Sequence, residues 1–193
     1  SNLWIGNTAT STSWSNTQIV GIVQGAGGIT VAVSTTAGKS NEVNFTVTSP
    51  NITLLSPANG PPGASVTIYG TGFGSAQGNV YVDTSVATIV SWSDTIISVT
   101  IPTSLSAGIR NVIVMPPTGF GSNAVQFTVR PAIYGINPSF GPVSAAVSIT
   151  GTGFGSPQGT SIVTFNGLDA GVATAWSNSS ITINVPYGAT TGP

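Results

Sequence analysis

Histidine and cysteine are absent from the 193 residues, and only seven side chains carry charge. Without His or Cys, catalytic dyads and triads built on those groups are excluded. The three cations, Lys39, Arg110 and Arg130, cannot neutralise a run of phosphates, which argues against a nucleic-acid partner. The four acids are Glu42, Asp83, Asp94 and Asp169, so charged residues make up 4% of a chain whose net charge is −1; soluble domains usually carry about 25%. No disulfide framework can form. Long apolar runs are missing too. The best, "IVGIVQGAGGITVAV" at 19–33, holds Gln24 and four glycines and falls short of the ~20 residues a spanning helix needs. Two strands joined by a turn account for it, and equally for "IISVTIPTSLSAGIRNVIV" at 96–114. Neither a signal peptide nor a spanning segment is read from the sequence.

What the chain does have is apolar content, 40% of residues, much of it β-branched, which excludes disorder. It also repeats itself. "GTGFGS" stands at 70–75 and again at 151–156, 81 residues later (151 − 70). Residues 52–74 and 133–155 align without a gap. A Trp landmark recurs as "SWSNT" at 13–17, "SWSDT" at 91–95 and "AWSNSS" at 175–180. A closing landmark reads "SNEVNFTV" at 40–47 and "SNAVQFTV" at 122–129. In order, these give the C-terminal part of a first unit (1–48), a complete second unit (49–130) and the N-terminal part of a third (131–193). The chain reads as a window on a longer array. Complementation between molecules would supply the middle strands twice, so truncation is the favoured reading over swapping.

Within the complete unit apolar residues recur every second position: Val66 and Ile68; Ile97, Val99 and Ile101; Val125, Phe127 and Val129. That period predicts strands with one buried face. Turn signals separate them at 59–63, 75–78, 104–108 and 116–119. About seven short strands in 80 residues predict an all-β, two-sheet sandwich. The glycines of "GTGFG" permit positive φ or close approach, and Phe73 is expected to plug the end of the sandwich. A phosphate cradle should open a helix near Lys or Arg, and neither is present.

The pattern "I…SP..GPPG…VTIYGTGFG", the Trp followed by "TIISVTIP", the "G…VIV" strand and the closing "SN.VQFTV" resemble the IPT/TIG domains. The resemblance implies tandem immunoglobulin-like sandwiches of the kind found in plexins, bacterial surface proteins and polysaccharide-degrading enzymes. The third unit departs from it by carrying Ser144 where the second has Gly63.

No catalytic, cofactor or metal residues are identified. Lys39 is read as a solvated surface lysine. Asp83 and Asp94, the only acids of the complete unit, are read as loop or strand-end residues and not as a hydrolytic pair. The acids are too scattered for calcium. Trp14, Trp92 and Trp176 are expected to pack. Trp4 and Tyr81 lie on the strand face opposite Leu3/Ile5 and Val80/Val82, and are the candidate glycan or partner contacts. Asn44, Asn51 and Asn178 begin Asn-x-Ser/Thr triplets and are candidate N-glycosylation sites. Low charge and few edge lysines favour contact with other copies or with neighbouring repeats. The short, proline-bearing linkers 48–51 and 130–132 favour a stiff rod. The leading expectation is a non-catalytic extracellular spacer in an adhesin stalk, a surface filament or a virion fibre. The alternative is a carbohydrate-contacting module of a secreted polysaccharide-degrading enzyme. A scaffold for a protein ligand is a third class, since sandwich loops are generic binding surfaces.

Overall fold

The computed structural model describes residues 2–5, 9–23, 27–117 and 120–190; the side chains of 2–5, 9–12, 22–23, 27 and 47 lie outside the description. All regular structure among the described residues is strand. No helix there is long and apolar enough to cross a membrane.

The first stretch holds β1 (Asn2–Ile5), β2 (Ala9–Trp14), β3 (Ile19–Val23), β4 (Gly27–Thr35), β5 (Gly38–Lys39) and β6 (Val43–Val47). β4 is the centre of one sheet, pairing with β1, β5 and β6, whereas β2 and β3 form a separate two-stranded ribbon.

The central stretch holds β7 (Asn51–Ser56), β8 (Asn59–Gly60), β9 (Ser65–Thr71), β10 (Asn79–Val82), β11 (Ser85–Val86), β12 (Thr88–Trp92), β13 (Ile96–Thr100), β14 (Gly108–Met115) and β15 (Val125–Val129). They form two sheets, β11-β10-β14-β15-β8 and β12-β13-β9-β7. Seven of these strands have four residues or more, and β8 and β11 have two each. The Asn59–Gly60 pair, expected as part of a turn, instead runs parallel to β15. Its neighbour Ala58 and Gly60 itself accept hydrogen bonds from Thr128 and Arg130 N–H at 3.0 and 2.9 Å, so the segment gains a ladder a free turn would lack.

The alternating residues meet between these sheets. Ile68, Phe73, Val80, Val82, Ile97, Val114 and Phe127 are all fully buried, each contributing about 1.5–3 kcal/mol of transfer free energy. The outward partners on the same strands are mostly Ser and Thr, so a sheet face with almost no charge still meets water.

The last stretch holds β16 (Ala132–Asn137), β17 (Ala146–Thr152), β18 (Thr164–Phe165), β19 (Leu168–Asp169), β20 (Ala175–Trp176) and β21 (Ser180–Asn184). Its sheet, β16-β17-β21-β20, repeats the order of the second central sheet, and β18-β19 form a two-stranded ribbon. Val147, Ile149, Ile181 and Ile183 are its buried core.

Both copies of the glycine loop are built alike. A Cβ on Gly70 would lie 2.1 Å from Asn51 O and 2.4 Å from Phe73 Cζ; on Gly151 it would lie 2.1 Å from Ala132 O and 2.4 Å from Phe154 Cζ. Only glycine fits where the Phe ring folds back over the strand. Gly72, Gly74, Gly153 and Gly155 then take φ of 73–80°, a region that side chains disfavour. Phe73 is thereby driven into the core, its ring centroid 6.5 Å from that of Trp92 with the planes at 59°. The second loop also meets the central stretch: Ala107 N–H donates to Gly153 O at 3.0 Å.

Candidate ligand-contact surface

Tyr81 stands in β10 between Val80 and Val82, both fully buried, so alternation turns it to the outer face of the first central sheet. Its direct cross-strand partners are Val86 on one side and Ile113 on the other. Directly opposed residues share a face, and with Met115 they form an apolar strip. Val86 is 54% and Met115 37% exposed, while Tyr81 and Ile113 are half-buried. The strip is bounded by the segment after β14, where Gly121 packs close to Met115 Cε and Ile113 Cγ2. Ser122 fixes that segment by accepting from Val114 N–H at 2.9 Å through Oγ and donating its own N–H to Val114 O at 2.9 Å. The result is one half-buried aromatic side chain beside aliphatic surface, with no charged residue among Tyr81, Val86, Ile113 and Met115.

Trp4 occupies the matching register: it opposes Ala32 as Tyr81 opposes Ile113, 81 residues apart (113 − 32). Its side chain lies outside the described residues. The third copy does not repeat the aromatic, since Thr164 fills the equivalent place in its ribbon.

The remaining polar candidates serve the fold. Asp94 Oδ1 accepts from Gly74 N–H at 2.8 Å, and Asp94 O accepts from Phe73 N–H at 3.1 Å. Two amide groups of the glycine loop are therefore already held by the chain itself, Gly74 N–H by the Asp94 carboxylate and Phe73 N–H by the Asp94 backbone carbonyl. In the third copy Asn178 does the same, with Oδ1 2.9 Å from Gly155 N and O 3.1 Å from Phe154 N. Asp83, at φ 52°, accepts from Asn111 N–H at 2.9 Å and pairs with Arg110 at 3.4 Å. Asp169 caps its turn through Gly171 N–H at 2.9 Å. Lys39 pairs with Glu42, an exposed contact whose hydrogen bond and charge hold the Glu42 carboxyl below the ordinary range. No group of three potential metal-ligating side chains exists among the described residues.

The recurring tryptophans divide. Trp92 Nε1–H donates to Gly74 O at 2.9 Å and Trp176 Nε1–H to Phe154 O at 3.3 Å, each ring packing on its core. Trp14 keeps the same register, opposite Ile19, but is 41% exposed. No counterpart of the glycine loop precedes it within residues 1–13. Among the glycosylation candidates, Asn44 and Asn51 are exposed, whereas Asn178 is half-buried with its side chain engaged as above.

Two grooves of about 530 and 550 Å³ open on the third stretch, one lined by Ile133, Ile149, Phe154, Val163 and Trp176 and the other by Ile136, Phe140, Val143 and Val147. Sequence reasoning did not mark them. In the central sandwich Ile52, Leu55, Ile68 and Phe73, the counterparts of Ile133, Ile136, Ile149 and Phe154, are buried.

The IPT/TIG domain model matches residues 50–129 and 131–193. Among curated relatives, the cyclomaltodextrin glucanotransferase of Paenibacillus macerans is 37% identical over 134 residues, covering 62% of this chain and 19% of the relative. That of Niallia circulans is 41% identical over 128 residues, covering 64% and 16%. The chain thus spans less than a fifth of the length of these relatives. Similar solved structures include the gamma-CGTase of alkalophilic Bacillus clarkii, with a TM-score of 0.43 at 18% identity over 93% of this chain and 30% of that one. Another is SGBP-B of the Bacteroides ovatus mixed-linkage glucan utilization locus, in complex with a mixed-linkage heptasaccharide, with a TM-score of 0.34 at 18% identity over 95% and 51%.

Proposed function

The chain belongs to the IPT/TIG domain family, and on that footing we propose that it is a glycan-contacting module of a secreted, carbohydrate-active bacterial protein. The segment itself is non-catalytic. The observation that carries the glycan reading is its 37–41% identity to cyclomaltodextrin glucanotransferases across more than half of its length.

The Tyr81 strip is the surface we assign to contact. Aromatic rings bring large area and a polar edge at small entropic cost, and an uncharged apolar strip on an otherwise hydroxyl-rich face suits a neutral sugar better than an ionic ligand. Trp4 is proposed as its counterpart in the first unit. Along the chain we place the division at 1–48, 49–130 and 131–193, with the outer two units partial. An extracellular location accords with the lack of cysteine, histidine and dense charge only in being compatible with it; the relatives are what favour it.

A spacer role coexists with this reading, because the Ala107–Gly153 hydrogen bond ties the second stretch to the third across a short proline linker. The decisive experiment is calorimetric titration of the chain with cyclomaltodextrins and maltoheptaose. Binding that weakens about tenfold, ~1.4 kcal/mol, in Tyr81→Ala and survives in Tyr81→Phe is the expected result. No heat with any neutral glucan, soluble or insoluble, would end this reading.

A further inference from the structure

Asn-Gly occurs twice in the chain, at Asn59–Gly60 and Asn166–Gly167. In this dipeptide no Cβ shields the glycine nitrogen, which can reach the carboxamide carbon of the preceding asparagine and expel ammonia. The reaction needs a free glycine N–H and a backbone able to bend toward the side chain. The fold treats the two copies oppositely. Asn59 and Gly60 lie in β8, in parallel register with Thr128 and Val129. Thr128 N–H donates to Ala58 O and Arg130 N–H to Gly60 O, at 3.0 and 2.9 Å. In such a ladder the bond between those two runs from Gly60 N–H to Thr128 C=O, so the nitrogen that would attack is already engaged. A Cβ on Gly60 would also stand 3.0 Å from Ala64 Cβ and 3.6 Å from Phe127 Cζ, which leaves the backbone little room to turn.

Asn166 and Gly167 form the two-residue loop between β18 and β19, closed by the Phe165–Leu168 pair. Their φ of 48° and 81° mark the primed hairpin turn that Asn-Gly favours. Both residues are exposed, and nothing lies within 4 Å of a Cβ on Gly167. Among the described residues Gly167 N–H has no acceptor. The Asn166 side chain donates through Nδ2 to Thr190 Oγ1 at 3.0 Å, an exposed contact for which water competes. The exposure belongs to the hairpin itself. The β10–β11 hairpin closes the same way through Val82 and Ser85, and its tip residues Asp83 and Thr84 are exposed although both sheets of the central sandwich are in place.

We infer that Asn166 is a site of spontaneous covalent modification, by deamidation, and that pairing with β15 protects Asn59 from the same reaction. Gly167 N attacks Asn166 Cγ, a C–N bond forms, and the Cγ–Nδ2 bond breaks. The proton of Gly167 N–H passes through solvent to the departing nitrogen, which leaves as ammonia. A water molecule then opens the cyclic imide. Opening at the side-chain carbonyl gives an aspartyl residue. Opening at the main-chain carbonyl gives an isoaspartyl residue, whose backbone runs through the former side chain. Either product adds one negative charge, taking the net charge from −1 to −2 (−1 − 1). The aspartyl form fits the turn, because Asp83 holds the matching position in β10–β11 at φ 52°. The isoaspartyl form lengthens the backbone between the paired residues Phe165 and Leu168, and a longer loop no longer matches the register that the two-residue turn sets.

The test is incubation of the folded 193-residue chain in mildly alkaline buffer, followed by timed peptide mapping with mass spectrometry. A parallel sample in concentrated urea is the unfolded reference, and each folded rate is divided by the rate of the same peptide in urea. That ratio should be at least about tenfold larger for Asn166 than for Asn59, because only Asn59 must first open a ladder. Aspartyl and isoaspartyl products should both appear at Asn166, and a more acidic form should grow in on anion exchange. In Asn166→Asp that slow acidic form should be absent. Equal ratios at the two sites overturn the proposal. So does an Asn166 peptide that stays intact in the folded chain while its urea counterpart converts, or an aspartyl product with no isoaspartyl partner.

Discussion

Asp94 and Gly74 lie 20 residues apart in sequence, and the carboxylate of one receives the backbone N–H of the other at 2.8 Å. Asn178 makes the same contact with Gly155, so the chain itself contains the neutral version of this tie. Asp94→Asn is expected to change stability by less than about 0.5 kcal/mol, and Asp94→Ala to cost about 1 kcal/mol by stranding the amide. Denaturant midpoints of the two variants check this. A large loss in Asp94→Asn would mean that the negative charge, and not the acceptor geometry, is what the loop requires.

Gly70 and Gly74 differ in why they are glycine. A methyl at Gly70 meets a backbone oxygen at 2.1 Å, whereas nothing lies within 4 Å of one at Gly74, whose constraint is a φ of 77°. Gly70→Ala should cost about 3 kcal/mol or more, because a rigid strand must move. Gly74→Ala should cost about 1–2 kcal/mol, the usual penalty for that backbone region. Thermal unfolding of both variants gives the order, and equal losses would contradict it.

Asn123 reaches across 71 residues to Ile52, accepting its N–H at 2.6 Å and donating to its C=O at 3.0 Å. This pair of bonds fastens the start of β7 to the segment leading into β15. Asn123→Ala leaves both backbone groups part-buried and unpaired, at a cost of about 2 kcal/mol. Amide exchange at Ile52 should accelerate selectively, and unchanged protection there would show the clamp to be idle.

The hydrogen bond and charge of Lys39 displace the titration of the Glu42 carboxyl downward. A folded value below the unfolded one means that the contact helps above the unfolded value and is lost as pH falls through the folded value. With both groups about half exposed, salt should screen the pairing. An NMR titration of the Glu42 side chain should show a low midpoint that climbs back in Lys39→Met and in high salt.

Much of the core was readable from the sequence because period-two alternation assigns each of Val66, Ile68, Ile97, Val99 and Phe127 to one side of a strand. The loop glycines were readable for the same local reason. The ties made by Asp94 and Asn123 were not, since they join residues 20 and 71 positions apart and depend on how strands pair. For the contact surface, alternation turned Tyr81 outward, but its neighbours Val86, Ile113 and Met115 came only from the register. Nor could spacing reveal that β2–β3 stands outside its neighbouring sheet; that is a property of topology.

The acids Asp83, Asp94 and Asp169 each accept a backbone amide, and among the described residues no charged side chain is buried between the sheets. Dissolved electrolyte acts on a fold mainly by damping forces between its ions, and here there is very little to damp. Melting temperature should thus stay nearly level from fresh water to physiological ionic strength, leaving solubility rather than folding as the quantity that screening governs.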